Sequence, residues 1–200
     1  MIKNIIQVFQ NFFFIQALFL FCVGGLSGLA FSSNLIFLPL MIIGLVSLFF
    51  FIYNNNLSII KIFLGGCAYS SGQLFVGLYW IAFAFEFTTH ASLWLGFIAV
   101  LFLAIFLSTF TGIFCALSKY LHNSWNLNVF GYALLFSSLL SIGEYLRANL
   151  FGGFPWNILG YIWSQSYVLM QPVSLIGIHG LGLISFLGCI AFALFFYKIR

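Results

Sequence analysis

One stretch of the sequence, Gly143 to Tyr161, concentrates the residue types that could bind a ligand or carry chemistry. It reads GEYLRANLFGGFPWNILGY and brings together an acid, a base, a Gly-Gly pair, a proline and a tryptophan. Glu144 and Arg147 end a long apolar run, and at a separation of three they share one face of a helix. An ionised group at the centre of a bilayer costs about 3 kcal/mol on insertion scales. We therefore expect the two residues to be paired, hydrated or functional.

The residues after this pair indicate that a helix stops at a membrane surface. Gly152, Gly153 and Pro155 are helix-ending residues. Phe154 and Trp156 flank the proline, and aromatic residues of these types anchor proteins at the membrane interface. The alternative is that the two aromatic side chains form the wall of a binding groove.

The composition of the chain defines its class. Of the 200 residues, 64% are hydrophobic and 4% are charged, and the mean hydropathy is +1.20. Soluble globular domains carry about 25% charged residues. Apolar runs of about 20 residues predict transmembrane helices, because the strands of a membrane barrel alternate in segments of about 10 residues. We predict an all-α membrane protein with about six transmembrane helices.

These helices are predicted to form one transmembrane domain over residues 1–200. Polar breaks divide the chain into spans at about 12–31, 35–53, 62–85, 92–117, 128–146 and 173–197. The fourth and fifth spans are separated by a break at Lys119, His122 and Asn123. Gly, Pro, Asn and Gln interrupt the segment 147–172, which predicts an interfacial or re-entrant loop.

The positions of the basic residues predict the orientation. With alternating spans and a cytoplasmic amino terminus, five of the six basic residues fall on the cytoplasmic side. These five are Lys3, Lys61, Lys119, Lys198 and Arg200. The chain then has both termini in the cytoplasm and the 147–172 loop in the periplasm.

Other kinds of site receive little support from the sequence. The cysteines lie far apart, each in an apolar run: Cys22, Cys67, Cys115 and Cys189. We expect neither a disulfide framework nor a metal site, and we expect no cofactor. Scattered basic residues form no patch for nucleic acid. Glu86 with His90 could form a proton relay or a metal pair, but a solvated loop is the simpler interpretation.

The order of motifs resembles the membrane half of bacterial apolipoprotein N-acyltransferase. Glu144-x-x-Arg147 is followed by Gly153-Phe154-Pro155-Trp156 and then by Gly160-Tyr161. The sequences GLYW at 77–80 and GLGLISFL at 180–187 also agree with the family, so that the resemblance extends from about residue 15 to the end. Enzymes of this family move a fatty acyl chain from a phospholipid to the amino-terminal diacylglyceryl-cysteine of a lipoprotein.

The resemblance implies an inner-membrane protein whose partners are membrane phospholipid and a lipoprotein substrate. The family's Glu, Lys and Cys triad belongs to a nitrilase-like domain that follows the membrane spans, and nothing in this sequence corresponds to it. We therefore expect no catalytic residue in this chain. We expect it to be an amino-terminal portion that is inactive alone, with a separately encoded nitrilase-like domain as a further partner.

Two roles remain open for each group of candidate site residues. Glu144 and Arg147 either form a helix-end ion pair that orders the loop or, with the GFPW residues, help to hold the lipid head group or the lipoprotein's amino end. Phe154 and Trp156 either anchor the loop at the interface or form a wall of the groove for the acyl chain that the resemblance implies. Tyr79 and Trp80 either line the same groove or only pack helices together. Two other functions stay open, a non-catalytic lipid-binding or scaffold subunit and a small transporter. Transporters usually show ionisable residues within several spans or repeat symmetry, and the sequence has neither.

Overall fold

The computed structural model describes residues 12–32, 34–54, 56–87 and 92–198. Among these residues, six helices are long and apolar enough to cross a membrane, which confirms the predicted all-α membrane fold. The α-helices are α1 Phe13–Gly28, α2 Leu38–Asn54, α3 Ile59–Gly77, α4 Leu93–Trp125, α5 Val129–Asn149, the short α6 Tyr167–Met170, and α7 Val173–Lys198. Shorter 3₁₀ segments cover Leu29–Phe31, Leu35–Phe37, Tyr79–Phe87 and Leu159–Trp163.

Polar residues in the predicted breaks begin the helices. Ser58 caps α3 by accepting a hydrogen bond from the main-chain N–H of Lys61 at 3.5 Å. Asn128 caps α5 in the same way, accepting from the N–H of Gly131 at 2.8 Å. Such caps satisfy donors that the first turn of a helix leaves free. The short polar breaks therefore both separate the spans and fix where the next one starts.

Helices α1 and α3 approach closely because glycines face each other across their contact. A Cβ atom on Gly24 would overlap the main chain of Tyr69, and one on Gly72 would overlap the main chain of Phe21. Gly28 lies against Gln73 in the same way. Small residues at these positions let two helix backbones pack directly, which is a common source of association between membrane helices.

A separate apolar cluster joins the end of α3 to the first half of α4. Its buried members include Leu74 and Leu78 on one side and Val100 and Ala104 on the other. Ala82 of the 3₁₀ segment belongs to the same cluster, and the segment packs on Gly96, where a Cβ atom would overlap the Ala82 main chain. The segment Tyr79–Phe87 is thus fixed beside α4 at the end of the bundle where α3 terminates.

The fourth predicted span differs most from the structure. It was expected at 92–117, but α4 continues beyond it, and the polar break predicted at 119–123 lies inside this helix. Lys119 is buried, and its Nζ donates hydrogen bonds to the carbonyl oxygens of Ile52 and Tyr53 at 2.9 and 3.3 Å. A polar residue can therefore lie buried inside α4, because its ammonium group is satisfied by the carbonyl end of α2, which lies far away in the sequence.

The third predicted span also has different bounds. It was expected at 62–85, whereas α3 ends at Gly77 and is followed by the 3₁₀ segment. Lys61 lies in the first turn of α3, at the end of the bundle opposite the 147–172 loop. Lys3, Arg200 and His90 lie outside the described residues.

The glycine contact between α1 and α3 can be tested with two neighbouring alanine substitutions. We expect Gly24→Ala to destabilise the protein by about 1–3 kcal/mol, because the added methyl group meets rigid main chain. Gly25→Ala is the matched control, since its Cβ would lie 3.4 Å from Cγ2 of Val76, in ordinary contact. Thermal unfolding of the detergent-solubilised variants provides the measurement. Equal midpoints would contradict the proposed packing.

Candidate functional site

The segment after α5 reverses direction through three residues with left-handed backbone. Phe151, Gly152 and Gly153 have φ values of 54°, 88° and 78°. Glycine adopts this conformation without steric cost. At Gly153 it is also required for space, because a Cβ atom would collide with the carbonyl oxygen of Ala148. The Gly-Gly pair therefore folds the following residues back against the end of α5.

Arg147 fixes the folded-back segment through its main chain. Its Nη1 donates hydrogen bonds to the carbonyl oxygens of Phe154 and Trp156 at 3.1 and 2.8 Å, and its Nη2 donates to that of Asn157 at 3.3 Å. The carbonyl oxygen of Arg147 in turn accepts a hydrogen bond from the N–H of Phe154 at 2.9 Å. The side chain is only 5% exposed. One guanidinium thus satisfies three carbonyl groups of an irregular segment.

Glu144, one turn earlier on α5, binds the next part of the loop. Both of its carboxylate oxygens accept from the main-chain N–H of Leu159, each at 3.1 Å. The hydrogen bonds that the structure gives Glu144 and Arg147 therefore all go to the loop, and none of them joins the two side chains to each other. The pair orders the loop by holding its carbonyl and amide groups separately.

Glycines on α7 and in the loop bring a third element to the same place. A Cβ atom on Gly160 would overlap the carbonyl oxygen of Ile178, and one on Gly182 would lie 3.6 Å from Oε2 of Glu144. Gly160 belongs to the Gly160-Tyr161 motif and Gly182 to the GLGLISFL motif, both of which contribute to the resemblance described from the sequence. Their small size lets the loop lie directly between α5 and α7.

A cleft of about 730 Å³ opens at this end of the bundle. Its lining comes from the end of α1, the end of α3 and the loop: Gly28, Leu29, Phe31, Ser32, Val76, Gly77, Tyr79, Trp80, Pro155, Trp156, Asn157, Tyr161 and Ser164. None of these described residues is charged. Aromatic and aliphatic side chains make most of the wall, and hydroxyl and amide groups provide the few polar positions.

The structure separates the sequence-predicted residues into two sets. Tyr79, Trp80, Pro155 and Trp156 line the cleft. Glu144, Arg147 and Gly153 lie behind the wall and shape the loop. Phe154 packs against the cluster between α3 and α4, with its ring centroid 5.1 Å from that of Trp156.

Sequence reasoning missed Asn157, which joins the two walls of the cleft. Its φ of 54° is left-handed, and its side-chain amide packs on Gly77, where a Cβ atom would overlap it. Its Nδ2 is buried without a hydrogen-bond partner in the described part of the chain. The one available signal was its type, since asparagine enters the left-handed region more readily than most residues.

The described residues thus form a multi-pass helical membrane protein with an uncharged, aromatic-walled cleft at one end. A family model described as the apolipoprotein N-acyltransferase N-terminal domain matches residues 23–191. The chain belongs to this family, and the resemblance stated from its motifs is confirmed.

Individual relatives give the same result. The apolipoprotein N-acyltransferase of Rhodopseudomonas palustris is 36% identical over 122 residues, which are 61% of this chain and 22% of that protein. The corresponding protein of Rickettsia typhi is 32% identical over 171 residues, or 82% of this chain and 32% of the relative. That of Rickettsia prowazekii is 31% identical over 159 residues, with 76% and 30% covered. The matched part of the chain thus corresponds to a third or less of the length of these relatives.

Substitutions of Arg147 test whether the loop depends on its guanidinium. We expect Arg147→Lys to cost about 1–3 kcal/mol, because one ammonium group leaves at least one of the three carbonyl groups unpaired, and Arg147→Met to cost more. Limited proteolysis between residues 150 and 158 and thermal unfolding measure the loss. Lys61→Met removes an exposed base and should change stability by less than about 0.5 kcal/mol. A protease-resistant loop in Arg147→Met would contradict the role given to Arg147.

Proposed function

We propose that this chain is the membrane-embedded part of an apolipoprotein N-acyltransferase. In this function an acyl chain passes from a phospholipid to the amino-terminal diacylglyceryl-cysteine of a lipoprotein. The cleft lined by Tyr79, Trp80 and Trp156, in a chain that belongs to this family, is the observation that carries the proposal.

The walls of the cleft suit a phospholipid or a lipidated cysteine. Leu29, Phe31 and Val76 offer apolar surface for a hydrocarbon chain. The exposed residues Ser32 and Ser164 offer hydroxyl donors for ester or phosphate oxygens. Tyrosine and tryptophan suit the boundary between the apolar and the hydrated part of such a ligand, because each side chain combines an apolar ring with a polar O–H or N–H group.

The proposed chemistry needs groups that the cleft does not contain. Acyl transfer through a thioester requires a cysteine nucleophile, a base and donors for the oxyanion. Cys115 and Cys189 are buried, Cys67 is half-buried, and Cys22 is exposed on α1. None of the four is among the described residues that line the cleft. We propose that a nitrilase-like domain supplies the nucleophile and its base, and that this chain holds the lipid.

We further propose that the protein lies in the bacterial cytoplasmic membrane with both termini inside. Lys61 and Lys119 lie at the end of the bundle away from the cleft, as the excess of basic residues on the cytoplasmic side favours. Arg147 is the one basic residue on the other side, and it is buried and hydrogen-bonded to the main chain of the loop. The cleft then faces the periplasm.

Cysteine labelling tests this orientation. In a variant without the four native cysteines, we expect Ser164→Cys to react with a membrane-impermeant maleimide in intact cells, because Ser164 is exposed at the cleft. Ser124→Cys, at the opposite end of α4, should react only after permeabilisation. The reverse pattern would invert the topology.

The function itself is tested by acyl transfer from phospholipid to a diacylglyceryl-cysteine peptide. We expect the 200-residue chain to bind phospholipid without turnover, and to support transfer when the nitrilase-like domain of a relative is added. Trp156→Ala and Tyr79→Ala should weaken lipid binding by about tenfold or more, because each removes a large part of the wall. Trp94→Ala is the matched control, since Trp94 is 78% exposed and does not line the cleft.

The outcomes of this experiment separate the alternatives. Turnover by the chain alone would show that a nucleophile has been overlooked. Lipid binding that depends on Trp156 but never leads to transfer would favour a non-catalytic lipid-binding or scaffold subunit. Equal lipid binding in the Trp156, Tyr79 and Trp94 variants would contradict the assignment of the cleft.

A further inference from the structure

A second cleft, of about 420 Å³, lies on the other side of the segment Leu159–Trp163. It is bounded by the start of α2, this segment, α6 and α7. The lining residues are Leu38, Met41, Ile42, Ile162, Trp163, Val168, Leu169, Pro172, Leu181, Ile184, Ser185, Gly188 and Cys189. Tyr161 of this segment lines the first cleft, and Ile162 and Trp163 line the second, so that Leu159–Trp163 is a partition between the two.

The second cleft offers almost no hydrogen-bonding group to an occupant. Trp163 and Ser185 carry strong polar groups, and they bind each other: Nε1 of Trp163 donates to Oγ of Ser185 at 2.7 Å. The Ser185 hydroxyl donates in turn to the carbonyl oxygen of Leu181 at 2.8 Å. With these groups satisfied, the remaining wall is hydrocarbon and sulfur. A ligand with a polar group at this depth would lose its hydration without compensation, whereas a hydrocarbon chain would not.

The shape of this cleft fits one extended chain. Its α7 residues lie at helical spacing along one face from Leu181 to Cys189, which corresponds to about 12 Å of helix. One leaflet of the hydrocarbon core is about 15 Å thick. The cleft is therefore long enough to hold most of the length of an acyl chain from one leaflet. Its entrance carries Val168 and Ile184, which are 72% and 55% exposed.

The volume of the second cleft matches one alkyl chain. A cavity of about 150 Å³ lined by apolar residues holds one benzene molecule, so 420 Å³ corresponds to a long alkyl chain. A transmembrane helix, with a diameter of about 10 Å or more, could cover the mouth of this groove but could not fill it. We propose that this cleft binds one acyl chain of a bilayer phospholipid, which packs against the back of the partition formed by Leu159–Trp163. The proposal requires membrane placement but not the acyltransferase function.

Gly188 provides a way to fill the cleft without disturbing the protein. Apart from its chain neighbours and the backbone of its own helix, a Cβ atom at this position would have no described atom within 4 Å, and the residue lines the cleft. Leucine is also a better helix former than glycine by roughly 1 kcal/mol. Gly188→Leu should therefore occupy the acyl site while the helix remains stable. Ala191→Leu adds similar bulk to the same helix at an exposed residue that does not line the cleft.

The test is photolabelling of the whole chain in nanodiscs that contain a phosphatidylethanolamine with a diazirine in its acyl chain. We expect peptides covering 38–42 and 181–189 to take up label, to lose it in Gly188→Leu and to retain it in Ala191→Leu. Unchanged labelling in Gly188→Leu would overturn the proposal. So would label spread evenly over the exposed face of α4, or cross-links between two copies of the chain in place of lipid adducts.

A second variant and a separate readout keep this test independent of folding and of the first cleft. Ile184→Trp should block the entrance from its exposed side and reduce the same label, and thermal unfolding checks each variant. The Trp156→Ala variant should retain label at 181–189, because Trp156 lines only the first cleft. Loss of this label in Trp156→Ala but not in Ile184→Trp would assign the lipid to the first cleft and overturn the second site.

Discussion

The architecture of this end of the protein depends on satisfying main-chain groups of an irregular loop beside a bilayer. An unpaired peptide group costs several kcal/mol where no water can reach it, so that non-helical backbone at this depth must find partners within the protein. Arg147 provides three donors to the carbonyl groups at Phe154, Trp156 and Asn157, and Glu144 provides an acceptor to the amide of Leu159. The acid and the base serve successive parts of one loop. Both clefts depend on this arrangement, because Trp156 and Asn157, which Arg147 holds, line the first cleft, and the segment that begins at Leu159 separates the first cleft from the second.

Close packing makes these hydrogen bonds geometrically accessible. Gly160 lets the loop contact the main chain of α7 at Ile178, and Gly77 receives the side chain of Asn157 at the end of α3. A side chain at either glycine would move the loop outward and lengthen the bonds to α5. Glycine in a helix costs roughly 1 kcal/mol relative to alanine, and here that cost is offset by direct contact between elements. The same reasoning applies to Gly24 and Gly72 where α1 meets α3.

The sequence predicted the features that depend on local composition. Six apolar runs of sufficient length correspond to six long helices among the described residues. The residues of GLYW and GFPW were grouped into one candidate site from the sequence. The end of the fourth span was not predictable, because the ammonium group of Lys119, buried within α4, is satisfied by the carbonyl groups of Ile52 and Tyr53 on another helix. The role of Arg147 was also beyond the sequence, since hydrogen bonds to main-chain carbonyl groups depend on the path of the loop and not on residue types. Asn157 was missed for the same reason, because its contact with Gly77 is a property of the fold.

The physical demands of lipid binding explain why an uncharged cleft and the proposed reactive cysteine belong in separate parts of an acyltransferase. Hydrocarbon binds where walls are apolar and dry, as around Leu29 and Val76. A thiolate requires the opposite environment, with a nearby base and positive groups, since burial among apolar side chains makes a cysteine inert. In the proposed function the membrane part positions the acyl chain and a water-exposed domain supplies the thiolate above it. The ester group of the lipid, at the boundary between chain and head group, is the one part of the substrate that both environments can reach. The hydroxyl groups of Ser32 and Ser164 in the cleft suit contact with that boundary.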